Sequence, residues 1–153
     1  MCFYCGCREI PLIRAFIAEH ESVTDRAGAL IRALDTGDLA TAGRQLAAMT
    51  DELRLHWAGE EEGLFAVMSS DAEYRDYIAA LVAEHRELDR LLSAPDLTSP
   101  AVISALRTAL ADLAGHIAKE EDGLFPASLT ALTADDWQTA IQAWQTVHPG
   151  LSP

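Results

Sequence analysis

The chain has 153 residues, enough for one domain; half of them are hydrophobic and 23% are charged, so a packed core is expected and disorder is not. The 24 acidic residues outnumber the 11 basic ones and give a net charge of −13, which argues against binding to nucleic acids and to anionic membranes. No apolar run approaches the ~20 residues of a membrane-spanning helix and no signal peptide is visible, so we expect a cytoplasmic protein.

The residue pattern predicts helices throughout, because Ala, Leu, Glu and Arg dominate and strand-like alternation is nearly absent. Capping and turn residues divide the chain into four long helices and a short fifth one. The expected spans are Arg8 or Pro11 to Leu34 (with Gly37 as C-terminal cap), Asp38 to about Met68, Asp71 to about Leu92, Ser99 to just before Pro126, and Thr133 to the Pro149-Gly150 pair.

Long helices with short connections are typical of an all-α, antiparallel up-down-up-down four-helix bundle. We assign the bundle to residues 10–126. A short cysteine-containing segment, residues 1–9, precedes it, and a short fifth helix with a tail, residues 127–153, follows.

The apolar stripes of these helices are interrupted by histidines and glutamates. His20 lies on the stripe of the first helix and His85 on that of the third. The second and fourth helices each carry a histidine followed by a glutamate one turn later. An unpaired carboxylate on a core stripe is costly unless something neutralises it.

These interruptions belong to an internal repeat. The segment from His56 to Phe65 aligns with that from His116 to Phe125, and seven of the ten positions are identical. Upstream, Ala-Glu-His occurs at 18–20 and again at 83–85. Each half therefore contributes a histidine and then a His-x-x-x-Glu pair, and two such halves predict a pseudo-twofold site between four helices.

The spacing suits metal binding, because residues i and i+4 lie on one face of a helix. Four imidazoles and two carboxylates favour iron or manganese and leave coordination positions open on two metals. The candidate metal ligands are His20, His56, Glu60, His85, His116 and Glu120.

In this order of ligands the chain resembles the hemerythrin-like (HHE cation-binding) proteins over about residues 10 to 126. The resemblance implies an antiparallel bundle that holds two iron ions, joined by an oxide or hydroxide and by the two glutamates, with manganese or zinc as substitutes. Two departures from the oxygen carriers of that family stand out. Asp89 occupies the position of a further histidine, and Glu121, not Glu120, is the fifth residue after His116, so Glu121 remains an alternative ligand.

Other polar and aromatic residues have less specific interpretations. Asp89 is either a ligand, an outer partner of the site or a surface acid, and Glu19 and Glu84 are either outer partners of ligand histidines or surface residues. His148 is interpreted as a cation at a helix end. We expect a solvated face from Glu61, Glu62, Glu121 and Asp122, and packing roles for Phe16, Trp57, Phe65 and Phe125.

The three cysteines, Cys2, Cys5 and Cys7, are too few for a four-ligand zinc site and suit a reducing compartment. Either they belong to an exposed terminus or they serve thiol redox or metal transfer.

The resemblance implies a non-haem di-iron protein that binds or reacts with O2, H2O2 or NO in redox or nitrosative stress response or sensing. It need not be an enzyme; peroxidase, catalase-like or NO-oxidising activity is compatible with the ligand set. Two alternatives remain: an iron-donating repair protein for damaged iron-sulfur or di-iron centres, or a non-enzymatic iron or oxygen sensor. The protein partner that a sensor would need is not identified by the sequence.

Overall fold

The computed structural model describes residues 6–153, and these residues form helices and turns with no β-strand among them. A one-turn 3₁₀ helix, Cys7–Glu9, precedes five longer helices within this described range. The second and fourth helices each contain a π-helical segment between two α-helical ones. In chain order the bounds are Pro11–Thr36; Leu39–Gly59, Glu60–Phe65 and Ala66–Met68; Ala72–Leu92; Pro100–Lys119, Glu120–Leu124 and Phe125–Ala131; and Ala134–Val147.

The expected capping residues begin and end these helices. Gly37 adopts the left-handed conformation (φ 75°) that ends the first helix, which a residue with a side chain would reach only with strain. The Asp38 carboxylate accepts a hydrogen bond from the Thr41 backbone N–H, and Thr133 forms a capping box with Asp136. The all-helical class is confirmed, whereas the up-down-up-down order of the helices stays a prediction.

The fourth helix does not end before Pro126, as the sequence predicted, but continues to Ala131. The reason is the π turn before it: the Phe125 N–H donates to the Glu120 carbonyl, five residues back. Pro126 then falls in the first turn of the α-helical segment that follows, where its missing N–H costs little.

By length and composition this fourth helix, Pro100–Ala131, is the one described helix that could cross a membrane, although no membrane-spanning helix was predicted from the sequence. Core helices of soluble proteins have the same length and composition, so a single helix of this kind is weak evidence for a membrane span. Its buried face, which includes Leu106, Leu113 and His116, packs into the bundle.

Two apolar clusters fill the interior, and a polar layer lies between them. One cluster contains Val23, Leu53 and Leu88, and the other contains Phe16 and Leu81, among further residues. On the first helix, for example, Phe16 belongs to one cluster and Val23 to the other, so the helix passes through the polar layer between them. The layer is therefore enclosed by apolar packing at both ends.

Candidate metal centre

Six ionisable side chains from the first four helices meet in this polar layer, and each is at most 2% exposed. Ionisable groups are rarely buried so completely unless they are paired or bind a metal. Their potential ligand atoms lie within 4.8 Å of one another in two groups. His20, His56, Glu60 and Glu120 form the first group, and His85, His116 and Glu120 form the second. The structure thus brings together all six residues that the repeat singled out.

Each glutamate lies between histidines of both groups. Glu60 Oε2 is 3.3 Å from His56 Nε2 and 3.6 Å from His85 Nε2. Glu120 Oε2 is 3.2 Å from His20 Nε2, while its Oε1 is 2.9 Å from His116 Nε2. A carboxylate with one group of imidazoles on each side is placed to bridge two cations.

Five buried atoms of this layer have no hydrogen-bond partner among the described residues: His20 Nε2, both carboxylate oxygens of Glu60 and both of Glu120. Buried polar atoms are nearly always satisfied, and an unsatisfied carboxylate is among the most costly. All five are oxygen or imidazole donors that face one another. This donor set fits a pair of divalent or trivalent cations, which would neutralise the carboxylates and use the open lone pairs.

Electrostatics in the metal-free layer differ from residue to residue. Burial and the nearby Glu120 raise the pKa of Glu60. Burial also opposes the charged form of His20, but the nearby carboxylates of Glu120 and Glu121 outweigh it and raise the pKa of His20 to about 9. The pKa of His56 is lowered to about 4 by burial and by the positive charge of His20. Such opposed shifts among neighbours are common at functional sites.

The outer nitrogen of every candidate ligand histidine is held by a glutamate. Because a carboxylate only accepts, Nδ1 donates in each pair, so it is the Nε2 atom of each imidazole that could bind a metal once it carries no proton. The four pairs are His20 with Glu121 (3.1 Å), His56 with Glu19 (2.7 Å), His85 with Glu61 (2.8 Å) and His116 with Glu84 (2.8 Å). We call Glu19, Glu61, Glu84 and Glu121 the outer glutamates.

The expectation of a solvated face was wrong for two of its four residues. The side chains of Glu61 and Glu121 are only 18% and 10% exposed because they contact His85 and His20. Glu62 and Asp122 are exposed, as expected. The repeat carried a signal for the first two, since they occupy the same position in both copies, directly after the buried glutamates.

The π segments explain how two consecutive glutamates serve one centre. Glu60–Phe65 and Glu120–Leu124 both begin at the buried glutamate. A π turn widens the helix by one residue and occurs often at functional sites. The widened turn lets Glu60 enter the polar layer while Glu61 reaches across to the third helix. The helical periodicity of the sequence does not predict a π segment.

Aromatic rings line the candidate ligand histidines. The ring of Trp57 stacks on His85 with centroids 5.0 Å apart, and Phe65 stacks on the same imidazole at 5.7 Å. Phe125 stacks on His20 at 6.0 Å, and Phe16 packs edge-on against His56 at 5.6 Å. These rings therefore pack around the centre and keep water from the imidazole faces.

Three further sequence interpretations have different outcomes. Asp89 accepts a hydrogen bond from Arg54 (2.8 Å), is 39% exposed and belongs to neither ligand group, so it is a surface acid. His148 lies at the end of the fifth helix, as expected, but it also contacts an outer glutamate, Glu19. The interpretation of the cysteines stays untested, because Cys2 and Cys5 lie outside the described residues.

Comparison with known proteins agrees with this geometry. The family model described as hemerythrin HHE cation binding domain matches residues 12–128, most of the chain. Searches of curated proteins and of solved structures returned no match. The matched region contains all six candidate ligands and all four outer glutamates.

Proposed function

Since the chain belongs to the hemerythrin HHE cation-binding family, we propose that it is a non-haem di-iron protein that binds or reacts with O2, H2O2 or NO. Its role would be in redox or nitrosative stress response or sensing, and not in bulk oxygen carriage. The observation that carries this proposal is the pair of fully buried carboxylates, each placed between imidazoles of two ligand groups.

The ligand chemistry favours iron. Imidazole and carboxylate together suit iron or manganese better than soft metals, and no thiolate lies among the candidate ligands. Six protein ligands for two metals leave coordination positions for a small molecule. Two bound irons would supply those positions together with redox chemistry.

The protein's own residues set the conditions for that chemistry. The outer glutamates fix the tautomer and the orientation of the four imidazoles. The stacked aromatic rings and the two apolar clusters exclude water from the polar layer, so charges inside it interact strongly. Small uncharged ligands such as O2 or NO enter an apolar interior more readily than ions do.

The argument against reversible oxygen carriage is that this chain lacks one histidine ligand of the oxygen carriers. The carriers have a further histidine one turn after the third-helix histidine, and Asp89 stands there in this chain. Asp89 pairs with Arg54 at the surface, so it does not replace that histidine as a ligand. A centre with four imidazoles should therefore be more open than that of a carrier.

The test begins with metal analysis and an optical spectrum of protein purified in air. We expect two irons per chain and the charge-transfer bands of a ferric pair. The reduced protein should then consume H2O2 or NO and should not cycle with oxygen. A chain without iron would overturn the metal assignment, and a stable oxygenated spectrum that reverts on removal of oxygen would overturn the proposed reactivity.

A matched pair of variants links the activity to the centre. Glu60→Gln changes a buried carboxylate of the polar layer, whereas Glu62→Gln changes an exposed one in the same π segment. We expect the first variant to lose iron and the reaction with H2O2 or NO, and the second to retain both. Equal behaviour of the two would contradict the assigned site.

A further inference from the structure

Two surface grooves occupy equivalent positions in the internal repeat. One lies between the first and fourth helices and has a volume of about 320 Å³; the other lies between the second and third helices and has a volume of about 360 Å³. The repeat relates the first helix to the third and the second to the fourth, so the two grooves are counterparts. We call them the His20 groove and the Trp57 groove, after a residue that lines each.

Of the two, only the His20 groove is lined by a candidate ligand. The His20 imidazole forms part of its wall although this residue is only 2% exposed, and its Nε2 atom has no hydrogen-bond partner among the described residues. The equivalent residue, His85, does not line the Trp57 groove, because Trp57 stacks on its imidazole with centroids 5.0 Å apart. Ile117 takes the place of Trp57 in the His20 groove, and its smaller aliphatic side chain leaves the imidazole at the wall. The His20 groove therefore reaches the centre, whereas the Trp57 groove ends before it.

Ion pairs also cross the Trp57 groove. Arg54 of the second helix pairs with Asp89 of the third (2.8 Å), and Arg86 of the third helix pairs with Glu61 of the second (2.9 Å). In the His20 groove the counterparts of these four residues are, in the same order, Ala114, Thr24, Glu21 and Glu121. An alanine with a threonine, or a glutamate with a glutamate, cannot form an ion pair, so the His20 groove lacks both bridges.

The two grooves differ in charge as well. Three carboxylates and two arginines line the Trp57 groove. No arginine or lysine is among the described residues that line the His20 groove, and four carboxylates are: Glu21, Asp25, Glu121 and Asp122. Glu121 is paired with Arg8, but Glu21 and Asp25 are exposed and form no ion pair within residues 6–153. A groove of this charge concentrates cations at its mouth and repels anions.

We infer that the His20 groove is the path by which a divalent cation enters the centre. Glu21 and Asp25 attract the hydrated ion to the surface, and the groove leads from there to His20, a candidate ligand. The positive charge that His20 carries at pH 7 in the metal-free protein does not reverse this attraction, because the carboxylates outnumber it. This inference rests on the proposed binuclear centre and adds to it the path of metal loading.

The first test measures the rate of metal loading. Metal-free protein is mixed with Co²⁺ at low ionic strength in a stopped-flow experiment, and the absorbance of bound Co²⁺ is followed. Glu21→Gln/Asp25→Asn removes two charges from the mouth of the groove and should slow loading by about tenfold, the lower end of the effect of electrostatic steering. The amount of Co²⁺ bound at saturation should equal that of wild-type protein, because neither side chain belongs to the ligand groups.

Glu73→Gln/Asp76→Asn is the matched control. It removes the same charge from two exposed residues of the third helix that line neither groove. This control variant should load nearly as fast as wild-type protein.

A second variant tests the path without changing the charge of the protein. Thr24→Asp/Ala114→Arg introduces into the His20 groove the ion pair that crosses the Trp57 groove, and both positions are exposed. Loading should slow severalfold. The converse variant, Arg54→Ala/Asp89→Thr, should load at the wild-type rate, because Trp57 still covers His85.

Several results would overturn the inference and leave the binuclear centre intact. They are unchanged loading in either variant of the His20 groove, equal slowing in the control variant, and faster loading in the converse variant. Less Co²⁺ bound at saturation by Glu21→Gln/Asp25→Asn would also overturn it, since these residues would then be ligands. A wild-type chain that binds no Co²⁺ would instead refute the proposed function. Thr24→Asp/Ala114→Arg keeps the inference testable if Glu21→Gln/Asp25→Asn fails to fold.

Discussion

Replacing Glu60 by leucine should stabilise the metal-free protein and at the same time remove its response to metal. Both carboxylate oxygens of Glu60 are buried without a hydrogen-bond partner among the described residues. An unsatisfied buried polar group costs about 1–3 kcal/mol. For a chain of this size each kcal/mol shifts the melting temperature by about 2–4 °C, so the variant should melt about 2–12 °C higher without metal.

The stabilisation of the metal-free protein by Glu60→Leu should depend on pH. Burial and Glu120 raise the pKa of Glu60 in the folded protein. A carboxyl with a raised pKa costs little stability at about pH 4, where the folded and unfolded chains both carry the proton. The loss of stability grows as the pH rises to 7, because Glu60 then ionises in the unfolded chain while its raised pKa keeps it protonated in the folded one. The advantage of leucine should therefore be larger at pH 7 than at pH 4.

Metal should reverse the order of stability. A ligand at a thousand times its Kd stabilises the native state by about 4 kcal/mol per site. Wild-type protein should gain this stabilisation when it binds metal, and it should then melt at a higher temperature than Glu60→Leu protein. The measurement is a pair of melting curves, with and without iron or manganese, and Glu62→Leu is the control because Glu62 is exposed in the same π segment. A Glu60→Leu protein that melts below metal-free wild type would refute the reasoning.

Four other perturbations have expected outcomes. His116→Ala should lose half or more of the bound iron, while His148→Ala retains two irons per chain; the reverse result in metal analysis would contradict the ligand assignment. Deletion of residues 1–7 should leave helix content and iron content unchanged, and a folded protein without iron would indicate that the thiols take part in loading. Because the pKa of His20 is raised to about 9, metal affinity should rise about tenfold per pH unit between pH 7 and 9, with one proton released per chain at this residue; a flat affinity profile would contradict this. Asp89→His should not alter the spectrum of the centre, since this side chain pairs with Arg54 at the surface.

The candidate metal ligands could be predicted from the sequence because they occur in an internal repeat. A single buried histidine has many explanations, but His56 and His116 recur with a glutamate at the same distance and in nearly the same decapeptide. The helix caps could be predicted for a different reason: Gly37, Asp38 and Thr133 end or begin a helix through contacts within one helical turn.

What the sequence did not disclose depends on contacts between helices. Glu61 resembles the exposed Glu62 in its local sequence, and only the third helix, which brings His85 to it, separates the two. The π turns shift the register by one residue, so a count based on 3.6 residues per turn misplaced Glu61 and Glu121. Asp89 was ambiguous until the second helix supplied Arg54 as its partner.

The pairing of histidines with outer glutamates also bears on how the protein folds. His56 and His116 are held from within their own half of the chain, by Glu19 and Glu84. The other two pairs exchange partners: Glu61 of the first half holds His85 of the second, and Glu121 of the second holds His20 of the first, 101 residues away. Neither half can therefore build a finished centre alone. We therefore expect the complete centre to form only after the two helix pairs have docked, so the rate at which the metal signal develops should report a late, non-local step of folding.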